Sequence, residues 1–165
     1  MDLKRIIRHM FMTRWGISSS FPVRSLVTID KAVRESHQRH VGQVRFAVEG
    51  ALHSPALLKG KSAKERAIEV FSDLRVWDTE HNNGVLVYLL LADRDVEIVA
   101  DRGIHARVGA DEWESICREM EAEFRRGQYE AGAIGGIRRV TELLERHFPA
   151  SQSERDELPS SPTVL

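Results

Sequence analysis

Residues 82–103 read NNGVLVYLLLADRDVEIVADRG. Val85–Leu91 is a continuous apolar run of strand length, apolar on both of its faces. That pattern predicts a central strand that needs cover from two sides. Ala92-Asp93-Arg94-Asp95 is a tight turn, and Val96–Ala100 returns as an antiparallel partner. Asp101-Arg102-Gly103 closes the hairpin. Upstream, Gln43–Glu49 (QVRFAVE) alternates, with Val44, Phe46 and Val48 facing one way, which predicts another strand. Between the two lies a helix over 62–74. Ser62 and Glu65 form its capping box, and Ala63, Ala67, Val70, Phe71 and Leu74 form its stripe. Strand, helix and strand in this order make a right-handed parallel unit. The expected fold class is therefore α/β, a three-layer α/β/α sandwich around a small mixed β-sheet.

The rest reads as helix. Leu26, Ile29, Ala32 and Val33 share a face within 25–37, and Trp113, Ile116, Cys117, Met120 and Phe124 share one within 110–126. A last helix over 129–147 carries Ile134, Ile137, Val140 and Leu144. Gly132, Gly135 and Gly136 weaken that helix by about 1 kcal/mol each relative to Ala, which predicts close packing at these positions. At the N-terminus, Leu3, Ile6, Ile7, Met10 and Phe11 form one helical stripe, with Lys4, Arg5, Arg8 and Arg14 mostly off it. Such a helix packs on the domain or a second subunit, or rests on an anionic membrane surface. Gly16–Pro22 breaks the pattern. The expected organisation is an N-terminal basic amphipathic helix and linker over 1–22, a domain over 23–149, and a disordered tail over 150–165.

The chain has 165 residues, enough for one domain with a full core. Lys plus Arg number 24 against 25 Asp plus Glu, and this balance argues against a nucleic-acid binder. The single cysteine, Cys117, excludes an internal disulfide and a multi-cysteine zinc site. It sits on an apolar helix face and reads as an inert buried thiol. The N-terminal segment lacks the apolar core of a signal peptide. No stretch approaches the ~20 apolar residues of a membrane span. The expected location is the cytoplasm, peripheral at the membrane if the first helix binds lipid.

Strand polarity places the candidate chemistry. Two parallel strands begin, and the antiparallel one ends, along one rim of the sheet. The rim gathers 40–43, 77–84 and 101–103. Carboxylate and amide oxygens at short spacing suit a hard cation, Ca2+ or Mg2+. Asp78, Glu80, Asn82 and Asp101 are the candidate metal ligands. Asn83, Arg102, His40 and Gln43 are candidate ligand-binding residues. The sequence identifies no catalytic nucleophile or base.

Read together, QVRFAVE, AKERAIEVFSDLRVW, NNGVLVYLLLADRDVEIVADRG and FRRGQYEAGAIGGI resemble the TPM domain, also called the TPM phosphatase domain, from Gly42 to about Phe148. VWDTEHNNG, VADRGI and the closing HFP look like a bacterial subgroup with no defined activity. The resemblance implies an α/β/α sandwich and calcium binding. It also implies acid-phosphatase activity in some members and accessory roles in photosystem repair or receptor assembly in others. By position, Asn82, Asn83 and Gly84 match the family's turn, and Asp78 falls in the acidic loop before it. Asp101-Arg102-Gly103 stands where many members carry a glycine-containing turn, with the Asp-Arg pair a departure. The expected function is a binding or assembly module with a divalent-cation site at the rim. It would act on a protein partner, or on a membrane surface through the first helix. The alternative is a metal-dependent phosphate monoester hydrolase. In it Asp78 and Asp101 hold the metal, Asn82 orients the ligand and Arg102 neutralises developing charge.

Overall fold

A computed structural model describes residues 3–12, 14–150 and 157–165. Its helices are α1 (Leu3–Phe11), α2 (Arg14–Ser20), α3 (Val23–His37), α4 (Ser54–Leu58), α5 (Ala63–Asp73), α6 (Arg102–His105), α7 (Ala110–Arg125) and α8 (Tyr129–His147). The strands are β1 (Gln43–Glu49), β2 (Gly84–Leu90), β3 (Asp95–Ala100) and β4 (Thr163–Val164), in sheet order β3-β2-β1-β4. β1 and β2 run parallel, with Val44 opposite Val85, and β2 and β3 run antiparallel, with Val85 opposite Ala100.

The alternation read in the sequence sorts side chains into two cores. Val44, Phe46, Val48, Val85, Val87, Leu89 and Val96 enter one, under α3, α7 and α8. Ala47, Leu86, Tyr88 and Leu90 enter the other, under α4 and α5. The fold is thus the α/β sandwich expected, with a small mixed open sheet. The Ser62–Glu65 capping box forms at the start of α5. Arg45 and Glu49, the polar positions of β1, are buried with partners. Arg45 donates to Pro159 O and Thr163 Oγ1, and Arg66 Nε donates to Glu49 Oε2 at 2.8 Å.

Three local readings need correction. Gly16–Pro22 does not break the chain into a linker: residues 14–20 are helical, and Phe21 is buried with its ring 6.1 Å from that of Phe46. An aromatic residue anchored in the core outweighs the weak helix propensity of Gly and Ser. The stripe of α1 also divides: Ile6 packs on the α5-side core, while Leu3, Ile7, Met10 and Phe11 are exposed.

The third correction concerns the tail. Residues 151–156 of the stretch expected to be disordered lie outside the described residues, but 157–165 line the β1 edge. β4 pairs in parallel with Ala47 and Val48, and Leu158 is buried. An edge strand leaves backbone groups unpaired, and this short segment covers some of them. Ser160 also donates to Asp30 Oδ1, which holds the Asp30 carboxyl below its ordinary range.

Candidate functional site

The rim forms as strand polarity requires. Gln43 N donates to Asn83 O at 2.9 Å, Asp101 N to Gly84 O at 2.8 Å and Gly103 N to Asn82 O at 3.0 Å. Two glycines permit this closeness. A Cβ on Gly84 would lie 1.9 Å from Val76 O, and one on Gly103 would lie 2.6 Å from Asn82 O. Asn82 sits in the left-handed region at φ 52°, which Asn tolerates better than most residues.

The candidate residues take different places on this rim. Asn83 is buried, its backbone N bonds Thr79 Oγ1 at 3.0 Å, and its Nδ2 donates to Val41 O at 2.6 Å. Asp101 is buried at the start of α6, where Oδ1 accepts from Arg102 N at 2.7 Å. Asp78, Glu80, Asn82 and Arg102 are exposed around them. Gln43 is buried, and its Oε1 accepts from Glu157 N at 2.9 Å and from Leu158 N. His40 is buried with Nε2 2.7 Å from Ser36 Oγ, whose hydroxyl also meets Thr141 Oγ1. Burial, then the neighbouring His37, pushes the His40 pKa down to about 4, so the ring is neutral at pH 7. Gln43 and His40 are thus already engaged by the chain's own groups.

Two oxygens on the rim are buried with no hydrogen-bond partner among the described residues: Asn83 Oδ1 and Asp101 Oδ2. An unpaired buried acceptor costs ~1–3 kcal/mol, so such atoms call for an occupant. Among the described residues no three His, Cys, Asp or Glu side chains come together as a metal-holding group. The donors that fit a hard cation here are a mixed set of amide, carboxylate and backbone oxygens.

Glu157 was not a candidate in the sequence. Its carboxylate accepts from Glu80 N at 2.9 Å, so the C-terminal segment joins the acidic loop to the rim. Only its acidity marked it, and it lies more than seventy residues from Glu80 in the chain.

The TPM domain family model matches residues 25–143. The chain belongs to the TPM domain family. No curated protein matches it. Among solved structures it is similar to the BA42 protein of the psychrophilic bacterium Bizionia argentinensis, with a TM-score of 0.78 and 26% identity over 88% of this chain and 95% of that one. It is also similar to the N-terminal domain of a protein from P. gingivalis, with a TM-score of 0.63 and 16% identity over 76% and 77% of the two chains. The second likeness is one of fold. In this TPM domain the Asn-Asn-Gly turn is the piece of the rim that holds Asn83 in place, and the β3–α6 junction does the same for Asp101.

Proposed function

We propose that this TPM-domain protein is a binding or assembly module whose rim takes a hard divalent cation. The carrying observation is the pair of buried, unpartnered oxygens, Asn83 Oδ1 and Asp101 Oδ2, on segments joined by the Asp101 N to Gly84 O bond. A cation would use both acceptors at once. Exposed Asp78, backbone oxygens and water would complete the set, since Ca2+ takes six to eight oxygens and Mg2+ six. Binding asks for these groups alone.

The test is a calorimetric titration with Ca2+ and with Mg2+ of the wild type, Asp101→Asn and Asp78→Ala. Saturable heat in the wild type that Asp101→Asn abolishes supports the reading. Equal heat in the wild type and Asp101→Asn places any cation elsewhere. No heat in any of the three rejects the site. Hydrolysis of phosphate monoesters is the alternative that the family description suggests. It requires cation-dependent turnover of an aryl phosphate that Asp101→Asn removes.

A further inference from the structure

A cavity of about 540 Å³ runs along the free edge of β3, between Lys64 and Ile68 of α5 and Trp113, Cys117 and Glu121 of α7. Antiparallel bonding alternates along a strand. Asp101 N points inward to Gly84 O, so the backbone groups of Val96, Ile98 and Ala100 point outward along this edge. Val96 N meets Glu121 Oε1 at 3.4 Å, long for such a bond, and the backbone of Ile98 meets the Cys117 thiol. Among the described residues the edge is thus loosely capped by two side chains rather than paired with a strand.

Three features of the groove point to an occupant. Asp95 and Glu97 lie two residues apart on one face of β3, partly buried, and neither has an ion pair within 4 Å among the described residues. Both carboxyls are held above their ordinary range. Burial is the main cause, followed by Glu121 for Asp95 and by Asp95 for Glu97. The lining also carries Lys64, Arg118 and His105 against Asp95, Glu97, Glu114 and Glu121, so the acidic groups outnumber the basic ones and the cavity favours added positive charge. Trp113 is 6% exposed, and its Nε1 has no acceptor among the described residues. The opposite edge of the same sheet already takes an extended segment, β4, tied down by Arg45 on the sheet.

We propose that the β3 edge docks an extended basic segment of a partner protein as a fifth strand, with Lys or Arg at alternate positions against Asp95 and Glu97. Main-chain bonds to Val96, Ile98 and Ala100 would supply affinity. The side-chain period of two would set the alternation, with apolar residues turned toward the Trp113 side.

The probe is a capped heptapeptide alternating Lys and Val, titrated into the full chain at physiological salt and followed by calorimetry and by amide chemical shifts. The expected result is one saturable site, with shifts on β3, α5 and α7. The Asp95→Asn/Glu97→Gln double variant should bind about tenfold more weakly or worse, with its melting curve as the check on folding. A heptapeptide alternating Lys and Pro carries the same charge but lacks the backbone N–H at every proline, and it should not compete. The proposal is overturned by equal binding of the Lys–Pro peptide or of a Glu–Val peptide. It is also overturned if the double variant binds as tightly as the wild type. A peptide-free dimer with concentration-dependent shifts on β3 would make a second copy the occupant and overturn it as well.

Discussion

The Tyr88 hydroxyl donates to Glu49 Oε2 at 2.7 Å, on the α5 side of the sheet, and Arg66 reaches the same oxygen at 2.8 Å. Glu49 is 2% exposed, so these two donors take the place of water around its carboxylate. Burial, together with the bond to Glu49, raises the Tyr88 pKa far above its ordinary value.

Removing one donor leaves a buried carboxylate short of partners. Arg66→Met should cost ~3 kcal/mol, and Tyr88→Phe ~1–2 kcal/mol, by urea denaturation. Glu49→Gln combined with Arg66→Met should cost clearly less than the sum of the single changes, because the charge has gone with its partner. Additive losses would mean that the ion pair contributes no coupling.

His40 makes stability depend on pH. The folded ring holds a proton only below about 4, against an ordinary value of 6.5. Between these values the unfolded chain binds more protons, so stability falls as pH drops through that window. The slope from this one group is at most ~1.4 kcal/mol per pH unit, and above the window it vanishes. His40→Gln should flatten the stability curve between pH 6.5 and 4 relative to the wild type; parallel curves would assign the slope to other groups.

The parts legible in the sequence were those whose signal is local. β1 alternates, β2 is a two-faced apolar run and β3 follows a short turn, so the rim's three segments could be placed from strand polarity alone. β4 could not. It is two residues long, and its partners Arg45, Ala47 and Val48 lie more than a hundred residues away. The same distance hid Glu157 from the rim. His40 and Gln43 were placed on the correct edge, but whether a polar side chain faces inward to Ser36 or outward to a ligand depends on packing that spacing does not encode. The burial of Phe21 likewise overrode a Gly-Ser-rich stretch.

Glycines that look alike in the sequence should respond differently to alanine. A Cβ at Gly84 would run into a backbone carbonyl, that of Val76, at 1.9 Å. Gly84→Ala should therefore cost ~3 kcal/mol or more by displacing the turn. At Gly136 the obstacle is the flexible Met120 side chain, so the cost should be smaller. Gly135 has nothing within 4 Å of the added carbon, and Gly135→Ala should stabilise α8 by ~0.5–1 kcal/mol. Thermal melting of the three variants gives the ranking, and equal losses would contradict the packing.

Cys117 should be a slow nucleophile. Burial, then the negative charges of Glu97 and Glu121, pushes its thiol up to about 12. At pH 8 the thiolate is then far scarcer than at a free cysteine of pKa ~8.5. Alkylation by iodoacetamide should run orders of magnitude slower than for a free thiol, and Glu97→Gln should speed it. Labelling at the free-thiol rate would mean that α7 opens readily from the β3 edge.

The first helix should adhere to anionic lipid through its outward face. Arg5, Arg8 and His9 all turn to Asp93, at 2.8, 3.1 and 3.1 Å. This contact holds the basic face of α1 against the β2–β3 turn and leaves Met10 and Phe11 at 74% and 80% exposure. Trp15 is exposed just beyond them, and half-exposed Arg8 and exposed Lys4 border the stripe. Apolar side chains with nearby cations suit the interface of an anionic bilayer. Burying a phenyl ring contributes ~1.5–3 kcal/mol, so Phe11→Glu should weaken sedimentation with phosphatidylserine-containing vesicles by about tenfold or more. Asp93→Asn should loosen α1 and lower the melting temperature while leaving the apolar stripe intact. Vesicle binding unchanged by Phe11→Glu would remove the helix from membrane contact, and a dimer broken by the same change would identify a second copy as what covers this face.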